Sequence, residues 1–540
     1  MKGDVAANGA ASGSIPSVAG GATKACQSRR GTARVSQQFI QREEILSKKA
    51  VLGALAAAIA LAYGGGTWWA GTKIKSSYDA AMDELPKQTA LVRVVERSYE
   101  KSFFGAVSTV TLELGCAADA ATQVPAVKPA GEDDDGDDGE EDGDAATPFK
   151  TLRFTFRDTI RHGPLAGGTL AAATIDSELV LDVKGQAKAE QLFGKAKPLA
   201  AHTKVGFGGG YTTDLTVAPV KVAEEGKTQV AWQGAQARFE MNGARTRVHY
   251  DLTMPGLDMS DARTGATMKM GKLTGKADMD KSAGWFMPIG KSEGRLDSFE
   301  FAAPKGLGTA EGAEGKALPT VLLQNIDMLG ESSIKDGLYE STGTVKGAGK
   351  IGETKIDKFE MSSGGRRIHA AGYRKLADAW LQSSAANGCG KGGSKASQAA
   401  MKALADQLAP DLKAMAKYNP EIGLDRMLVE IGGKRGEISY TAGMVGVTDE
   451  DLQGPGMALL MKRGVLKASA RLPMQWLEQI AATGAESGQT PPPEMVAGLV
   501  EQGEGMGFVK RDGTDITSQV EYSEGSLKVN GKPLGGMGGK

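Results

Sequence analysis

Residues 152–157, LRFTFR, alternate apolar and polar side chains with a period of two. Successive side chains of a β-strand point to opposite faces of the sheet, so this period predicts a strand with one apolar and one wet face. Residues 110–114, VTLEL, show the same alternation. These two segments predict sheet rather than helix.

Downstream, short alternating segments bounded by glycine recur about every ten residues. The chain has 75 glycines and 14 phenylalanines, a composition typical of many turns and thin strands. The predicted strands include Asp214–Val217, Val230–Trp232, Arg245–Leu252, Met268–Met279, Leu296–Phe301 and Thr354–Met361. The expected fold is therefore mainly β (α+β), a long antiparallel β-meander with a few packed helices.

Helical periodicity returns at residues 397–417, where apolar side chains recur at three- and four-residue steps and form one stripe. This stripe contains Met401, Leu404, Leu408, Leu412 and Met415. A second helix is predicted at Met474–Ala482, and a third after Pro491, Pro492 and Pro493. Residues 514–529, with Asn530 and Gly531, predict a closing hairpin and turn.

Residues 50–70, AVLGALAAAIALAYGGGTWWA, carry no charged side chain. This length suffices for a helix to cross ~30 Å of hydrocarbon. Lys48 and Lys49 precede the segment, and Trp68 and Trp69 close it, which predicts a single-pass anchor with a cytoplasmic amino terminus. A cleaved signal peptide with its apolar core at Val51–Tyr63 is the alternative. Either interpretation exports residues 72–540, beginning with a short predicted helix at Thr72–Leu85.

Two polar segments are predicted to remain outside the folded body. Residues 1–47 are rich in glycine, alanine and serine and predict a disordered cytoplasmic leader. Residues 121–148 form an acidic, disordered insertion. A calcium loop of the EF-hand type counted from Asp133 would need Gly at the position of Asp138 and Glu at that of Asp144. A solvated loop is therefore favoured over loose cation binding.

Charge and cysteine content exclude two further classes of protein. The formal net charge is -1, and without the basic leader and the acidic insertion the remainder is only slightly basic, so no nucleic-acid partner is expected. Three cysteines do not build a disulfide scaffold. Whether Cys116 and Cys389 pair in the exported domain stays open.

Motifs for catalysis or cofactor binding are weak. Residues 290–294, GKSEG, match the nucleophile elbow, but an alternating strand follows Ser292 where a helix is required, so a turn between strands is favoured. The four histidines show no metal-ligand spacing, and a turn histidine bonding nearby backbone explains His162. The glycine runs at 312–317 and 503–507 miss the phosphate-loop pattern. We therefore predict no catalytic, cofactor-binding or metal-binding residues, no cofactor, and a non-enzymatic protein.

Several short motifs occur in an order that resembles the YdgA-like family of bacterial envelope proteins of unknown function. These motifs are Trp68–Gly71, Ser98–Phe104, Ile160–Leu165, Val230–Gly234, Pro255–Leu257, Ile289–Ser292, Tyr418–Pro420 and Val529–Pro533. The resemblance covers roughly residues 50–535, and the leader and the acidic insertion depart from it. It implies an inner-membrane anchor, a large periplasmic β-rich domain and no established reaction.

Three functional hypotheses follow. The first is an interaction or structural module of the cell envelope, self-associating through the span or through exposed strand edges, or binding an envelope protein. The second is a protein that binds or transfers lipid, or another hydrophobic ligand, through an apolar groove, by analogy with the β-rich AsmA-like envelope proteins. The third and weakest is a serine hydrolase that uses Ser292. A continuous apolar groove would favour the second.

Overall fold

The computed structural model describes residues 66–67, 70–80, 82–83, 92–114, 152–181, 183–223, 228–284, 287–303, 319–389, 394–485 and 493–534. The predicted leader, the acidic insertion, Cys116 and most of the predicted span lie outside these ranges, as does the side chain of Cys389. Residues 66, 67 and 70 of the span are helical. No helix in the described ranges combines the length and the apolar character that a membrane crossing requires.

Twenty-four strands in the described ranges join in one antiparallel sheet, which confirms the predicted mainly β meander. Their bounds are β1 Val92–Lys101, β2 Gly105–Leu114, β3 Leu152–His162, β4 Ala173–Val180, β5 Leu199–Val205, β6 Tyr211–Val217, β7 Val220–Val222, β8 Thr228–Trp232, β9 Ala235–Met241, β10 Arg247–Met254, β11 Leu257–Asp261, β12 Thr267–Met270, β13 Leu273–Asp280, β14 Ile289–Ala302, β15 Val321–Lys335, β16 Leu338–Ile351, β17 Thr354–His369, β18 Glu421–Ile431, β19 Lys434–Met444, β20 Gly464–Pro473, β21 Lys510–Asp512, β22 Asp515–Ser523, β23 Ser526–Val529 and β24 Lys532–Pro533.

Most strands pair with their neighbours in sequence. Strands β1 to β6 pair in order, and β9, β10, β13 and β14 continue the sheet. From β14 the order runs directly to β20 and then to β22, β23 and β24. Strands β7, β8, β11 and β12 form a branch that joins the sheet through β14.

Seven α-helices in the described ranges interrupt the meander or follow it. They are α1 Val183–Phe193, α2 Ala370–Cys389, α3 Ser394–Ala416, α4 Asp449–Gln453, α5 Gly456–Arg463, α6 Met474–Ala485 and α7 Pro493–Gly505. Helices α3, α6 and α7 lie where the sequence predicts helices. A further helical segment covers residues 70–80 and begins two residues before the predicted Thr72.

The strand registers give the sheet two chemically different faces. We call the side that carries Leu252, Met328 and Met427 the apolar face, because cross-strand partners lie on the same side of a sheet. One row of it reads Leu252, Gly275, Gly294, Met328, Val345, Met361, Met427, Ile438 and Ala470. The opposite side, the polar face, carries ion pairs that include Arg247–Asp278, Lys291–Glu331 and Arg295–Asp327.

One predicted strand is wrong. Residues Met268–Met279 form two strands, β12 and β13, which separate at Gly271. A Cβ atom at Gly271 would lie 2.6 Å from Ser298 Oγ, so the close approach of β14 requires glycine here. Three neighbouring pairs of strands separate at the same level of the sheet. Strands β6 and β7 separate at Pro219, β8 and β9 at Gly234, and β10 and β11 at Gly256.

Helix 70–80 packs on the apolar face over β1 to β4. Ile74 is buried against Ala106, Ile160 and Ala173. The Tyr78 hydroxyl donates to Asp158 Oδ2 at 3.0 Å, and burial raises the pKa of Tyr78. The segment that follows the predicted span is therefore part of the folded domain.

The buried side chain of His162 lies against this helix. A Cβ atom built on Gly71 would lie 2.6 Å from His162 Cε1, so only glycine fits at this helix position. His162 Nε2 lies 3.2 Å from the carbonyl oxygen of Gly105 and donates to it. His162 is the last residue of β3 and not a turn residue, and the backbone group that it bonds belongs to the neighbouring strand β2. The His162 ring also sets the position of helix 70–80 on the sheet, through its close contact with Gly71.

Acidification is expected to loosen helix 70–80. Burial lowers the pKa of His162, and the positive charge of Lys101 lowers it further. Below about pH 6.5 the unfolded chain therefore binds more protons than the native state, so stability falls as the pH falls toward the native pKa. Hydrogen exchange of helix 70–80, corrected for intrinsic rates, should be faster at pH 5.5 than at 7.5. His162→Gln should remove this dependence, whereas substitution of the half-buried His249, on the polar face, should not.

Candidate apolar site

Large apolar side chains stand exposed on the apolar face where β17, β18 and β19 adjoin. Ile422 is 59% exposed, although it lies in the middle of the sheet between two paired strands. Its exposed neighbours on this face are Met361, Met427, Ile438 and Tyr440. Soluble proteins rarely expose contiguous apolar patches of this kind unless they bind something. This part of the face is our candidate functional site.

A cleft of about 500 Å³ deepens the face beside Ile422. Strands β18, β19, β20 and β22 form its floor, and helix α5 forms its wall. The residues that line it are Pro420, Ile422, Ala442, Gly443, Met444, Leu460, Met461, Gly464, Val465, Leu466 and Tyr522. None of them is charged, and the Tyr522 hydroxyl already donates to the carbonyl oxygen of Met461 at 2.8 Å. A cleft of this chemistry suits an apolar ligand that needs no hydrogen bonds.

Helix α5 is held by a buried carboxylate. The Asp451 side chain is 1% exposed and accepts from Lys462 Nζ at 2.6 Å and from Arg463 Nε at 2.7 Å. It also accepts from the backbone N–H of Thr448, which completes a capping box at the start of α4. These donors keep the pKa of Asp451 far below its usual range. Asp451 thereby ties α4 to the last turn of α5.

Asp451→Asn is expected to loosen the cleft wall, because it leaves Lys462 and Arg463 without their buried counter-charge. Amide hydrogens of α4 and α5 should exchange about tenfold faster or more, measured by mass spectrometry. Asp449→Asn is the matched control, since Asp449 lies in the same helix with its side chain 84% exposed. Equal exchange in both variants would contradict the role given to Asp451.

The apolar face continues across the break in the strands. Strand β16 alternates without interruption from Val345 to Ile351, and Gly349 lies opposite Leu323. A β-bulge between Gln324 and Asp327 therefore returns Leu323 to the apolar face. From Leu323 the row continues through Phe299, Met270, Leu257, Trp232 and Val220. Compared with the uninterrupted strand β16, the chain in this row has one extra residue at the break. The same face of the sheet is therefore apolar before and after the break.

Helices cover only parts of this face. Helix 70–80 covers β1 to β4, and α6 and α7 pack over Ile516 at the other end. Between them, Ala370 and Tyr373 of α2 pack against Tyr339 on the same face. Trp476 of α6 lies on Gly436, where a Cβ atom would come within 2.3 Å of the ring. The face between these helices includes the exposed residues beside the cleft.

The polar face has a larger hollow of about 890 Å³ over β5, β6, β9 and β10. Its charged side chains are mostly paired with each other, as in Arg238 with Asp214 and Glu240, and Arg247 with Asp278. His202 and His249 also face it, each next to an aspartate. Among the described residues, no cluster of three or more histidine, cysteine or acidic side chains is placed to hold a metal ion. We interpret this hollow as a solvated, ion-paired surface.

The structure corrects the prediction for Ser292. Residues 290–294 do not form a turn but continue strand β14, with Ser292 between Ala277 and Gly330 on the apolar face. Gly290, at φ 144°, lets β14 approach β13 so closely that a Cβ atom would lie 2.1 Å from the carbonyl oxygen of Asp278. The strand-to-helix geometry of a nucleophile elbow is absent at this position.

Comparison with known proteins places the chain in a family. A family model described as a bacterial protein of unknown function (DUF945) matches residues 46–535. The chain belongs to this family. The match confirms the unknown-function family expected from the motifs. Searches of the curated proteins and of the solved structures found no match.

Several motifs that carry the family resemblance have structural positions. Gly71 of the first motif contacts His162, and Thr67 beside that motif contacts Gly163. The motifs Val230–Gly234 and Pro255–Leu257 lie at the break in the strands. Tyr418 stacks on His369 with ring centroids 4.2 Å apart, just before the cleft residue Pro420. In this chain, these motifs therefore position helix 70–80 and parts of the apolar face.

Proposed function

We propose that this protein is an envelope protein, anchored in the inner membrane by residues 50–70, that holds the acyl chains of lipids on the apolar face of its periplasmic sheet. The observation that supports this most is the cleft beside Ile422, which has an apolar lining without charged side chains. It opens onto a part of the apolar face where, among the described residues, Met361, Met427 and Ile438 are exposed. The proposed role is binding or transfer, without chemical conversion of the lipid.

Solvation of the apolar face favours a lipid as its occupant. Exposed apolar side chains in the interior of a paired sheet cost about 25 cal/mol for each Å² left in water. An acyl chain removes this area from water and leaves no hydrogen-bonding group of its own unpaired. A peptide strand would bring backbone groups that need partners, and the strands around the cleft are already paired on both sides.

An interaction module is the second candidate function. Strand β1 pairs only with β2 among the described residues, and Val95 on it is 47% exposed. An edge of this kind can accept a strand from an envelope protein or from a second copy. This candidate uses a strand edge, whereas the lipid proposal uses the apolar face.

Gentle purification of the full-length chain separates the two candidates. The copurifying molecules are identified by mass spectrometry of both lipids and proteins. The lipid proposal predicts a stoichiometric lipid that survives detergent exchange. A stoichiometric protein partner with no retained lipid would contradict it and support the interaction module.

A further inference from the structure

Three turns at one end of the sheet expose five large apolar side chains, which we call the turn patch. They are Phe103 at 56%, Phe104 at 59%, Leu165 at 55%, Leu170 at 69% and Phe207 at 52% exposure. Phe103 and Phe104 contact each other edge to face, with ring centroids 4.8 Å apart. Turn tips are normally polar, so this concentration requires an explanation.

Backbone hydrogen bonds place the three turns side by side. The N–H of His162 donates to the carbonyl oxygen of Phe104 at 3.0 Å, which joins the β1–β2 turn to the β3–β4 turn. The N–H of Ala172 donates to the carbonyl oxygen of Val205 at 2.9 Å, which joins the β3–β4 turn to the β5–β6 turn. The exposed side chains therefore share one end of the sheet.

The chain enters the domain at this same end. A Cβ atom on Gly66 would lie 3.4 Å from Pro164, and one on Gly163 would lie 2.7 Å from Thr67 Oγ1. Gly66 and Thr67 belong to the predicted span 50–70. The carboxyl end of that span thus lies against the β3–β4 turn, beside Leu165.

We propose that the turn patch lies in the interfacial layer of the bilayer that holds the span, with its phenylalanine and leucine side chains among the lipid chains. Amphipathic surfaces with aromatic residues favour this layer. Each of the three turns is also preceded by a basic residue, Lys101, Arg161 or Lys204, within two positions of the strand end. Lys101 and Lys204 suit lipid phosphates, whereas Arg161 already pairs with Asp176 Oδ2 at 2.7 Å. The inference rests on the proposed anchor, and it orients the end of the sheet beside helix 70–80 toward the lipid.

Spin labels test this orientation in the full-length chain. Cys26, Cys116 and Cys389 are replaced by serine, and single labels are attached at Phe103→Cys, Leu170→Cys and, as a control, Leu329→Cys. Leu329 is 48% exposed but lies on the polar face, away from the turns. The protein is reconstituted in vesicles of phosphatidylethanolamine and phosphatidylglycerol. Accessibility to oxygen and to a water-soluble nickel chelate is measured by power saturation.

The proposal predicts that both patch labels are accessible to oxygen and at least fivefold less accessible to nickel than the label at position 329. Nickel accessibility equal to the control, in vesicles that float with the protein, would overturn the turn patch and leave the anchor intact. Low accessibility to both reagents would also overturn it, since it indicates a protein contact. A protein that fails to float with the vesicles would overturn the anchor as well.

Discussion

Ile422→Glu is expected to abolish retention of lipid by the purified protein. The carboxylate would stand in the apolar cleft, and covering it with an acyl chain would cost several kcal/mol in lost hydration. Because 1.4 kcal/mol corresponds to a factor of ten, the affinity should fall by about 100-fold or more. The measurement is the molar ratio of lipid to protein after detergent exchange, by mass spectrometry.

The matched control for this substitution is Thr441→Glu. Thr441 lies on the polar face of the neighbouring strand, opposite Gly423 and Lys467, so the same charge is added outside the apolar face. Ile422 is 59% exposed and Thr441 is only half-buried, so both variants should fold normally. Equal lipid retention in the two variants would contradict the assignment of the cleft.

Gly71→Ala is expected to destabilise the domain, although alanine is the better helix former. In an open helix position the same substitution stabilises by about 0.5–1 kcal/mol. At position 71, however, the new methyl group would meet the buried ring of His162 at 2.6 Å. Overpacking of this kind typically costs about 1–3 kcal/mol, and it should lift helix 70–80 from the sheet.

Gly498→Ala supplies the comparison, because a Cβ atom on Gly498 of α7 meets nothing within 4 Å. Urea unfolding of the full-length protein should show opposite signs for the two substitutions. Equal free energies of unfolding for Gly71→Ala and Gly498→Ala would contradict the close packing of His162 against helix 70–80.

The sequence predicts the strands better than it predicts how they join. Alternation at residues 110–114 and 152–157 identifies β2 and β3, and the apolar stripe of residues 397–417 identifies α3. Helix α2, with the sequence AAGYRKLADAWLQSSAANGC, has no comparably regular stripe and was not predicted. Residues Met268–Met279 were predicted as one strand because apolar residues occur on both sides of Gly271. The break there adds one residue between β12 and β13, which the pattern of apolar residues does not reveal.

The candidate site was missed because it depends on register. Its residues come from four strands and a helix spread over about a hundred positions, and shifting one strand by one residue would move its side chains to the other face. A local signal was available at Met457, Leu460 and Met461, three large apolar residues in one short segment, and the structure exposes all three on α5. The glycine and proline residues at the break were visible as motifs, but their alignment across the sheet was not.

Photocrosslinking in intact cells tests the central claim most directly. p-Benzoylphenylalanine replaces Ile422 in one full-length protein and Thr441 in another, and the irradiated proteins are analysed by mass spectrometry. The lipid proposal predicts an adduct with the mass of a lipid at position 422 and none at position 441. A polypeptide adduct at position 422, or equal lipid adducts at both positions, would contradict it.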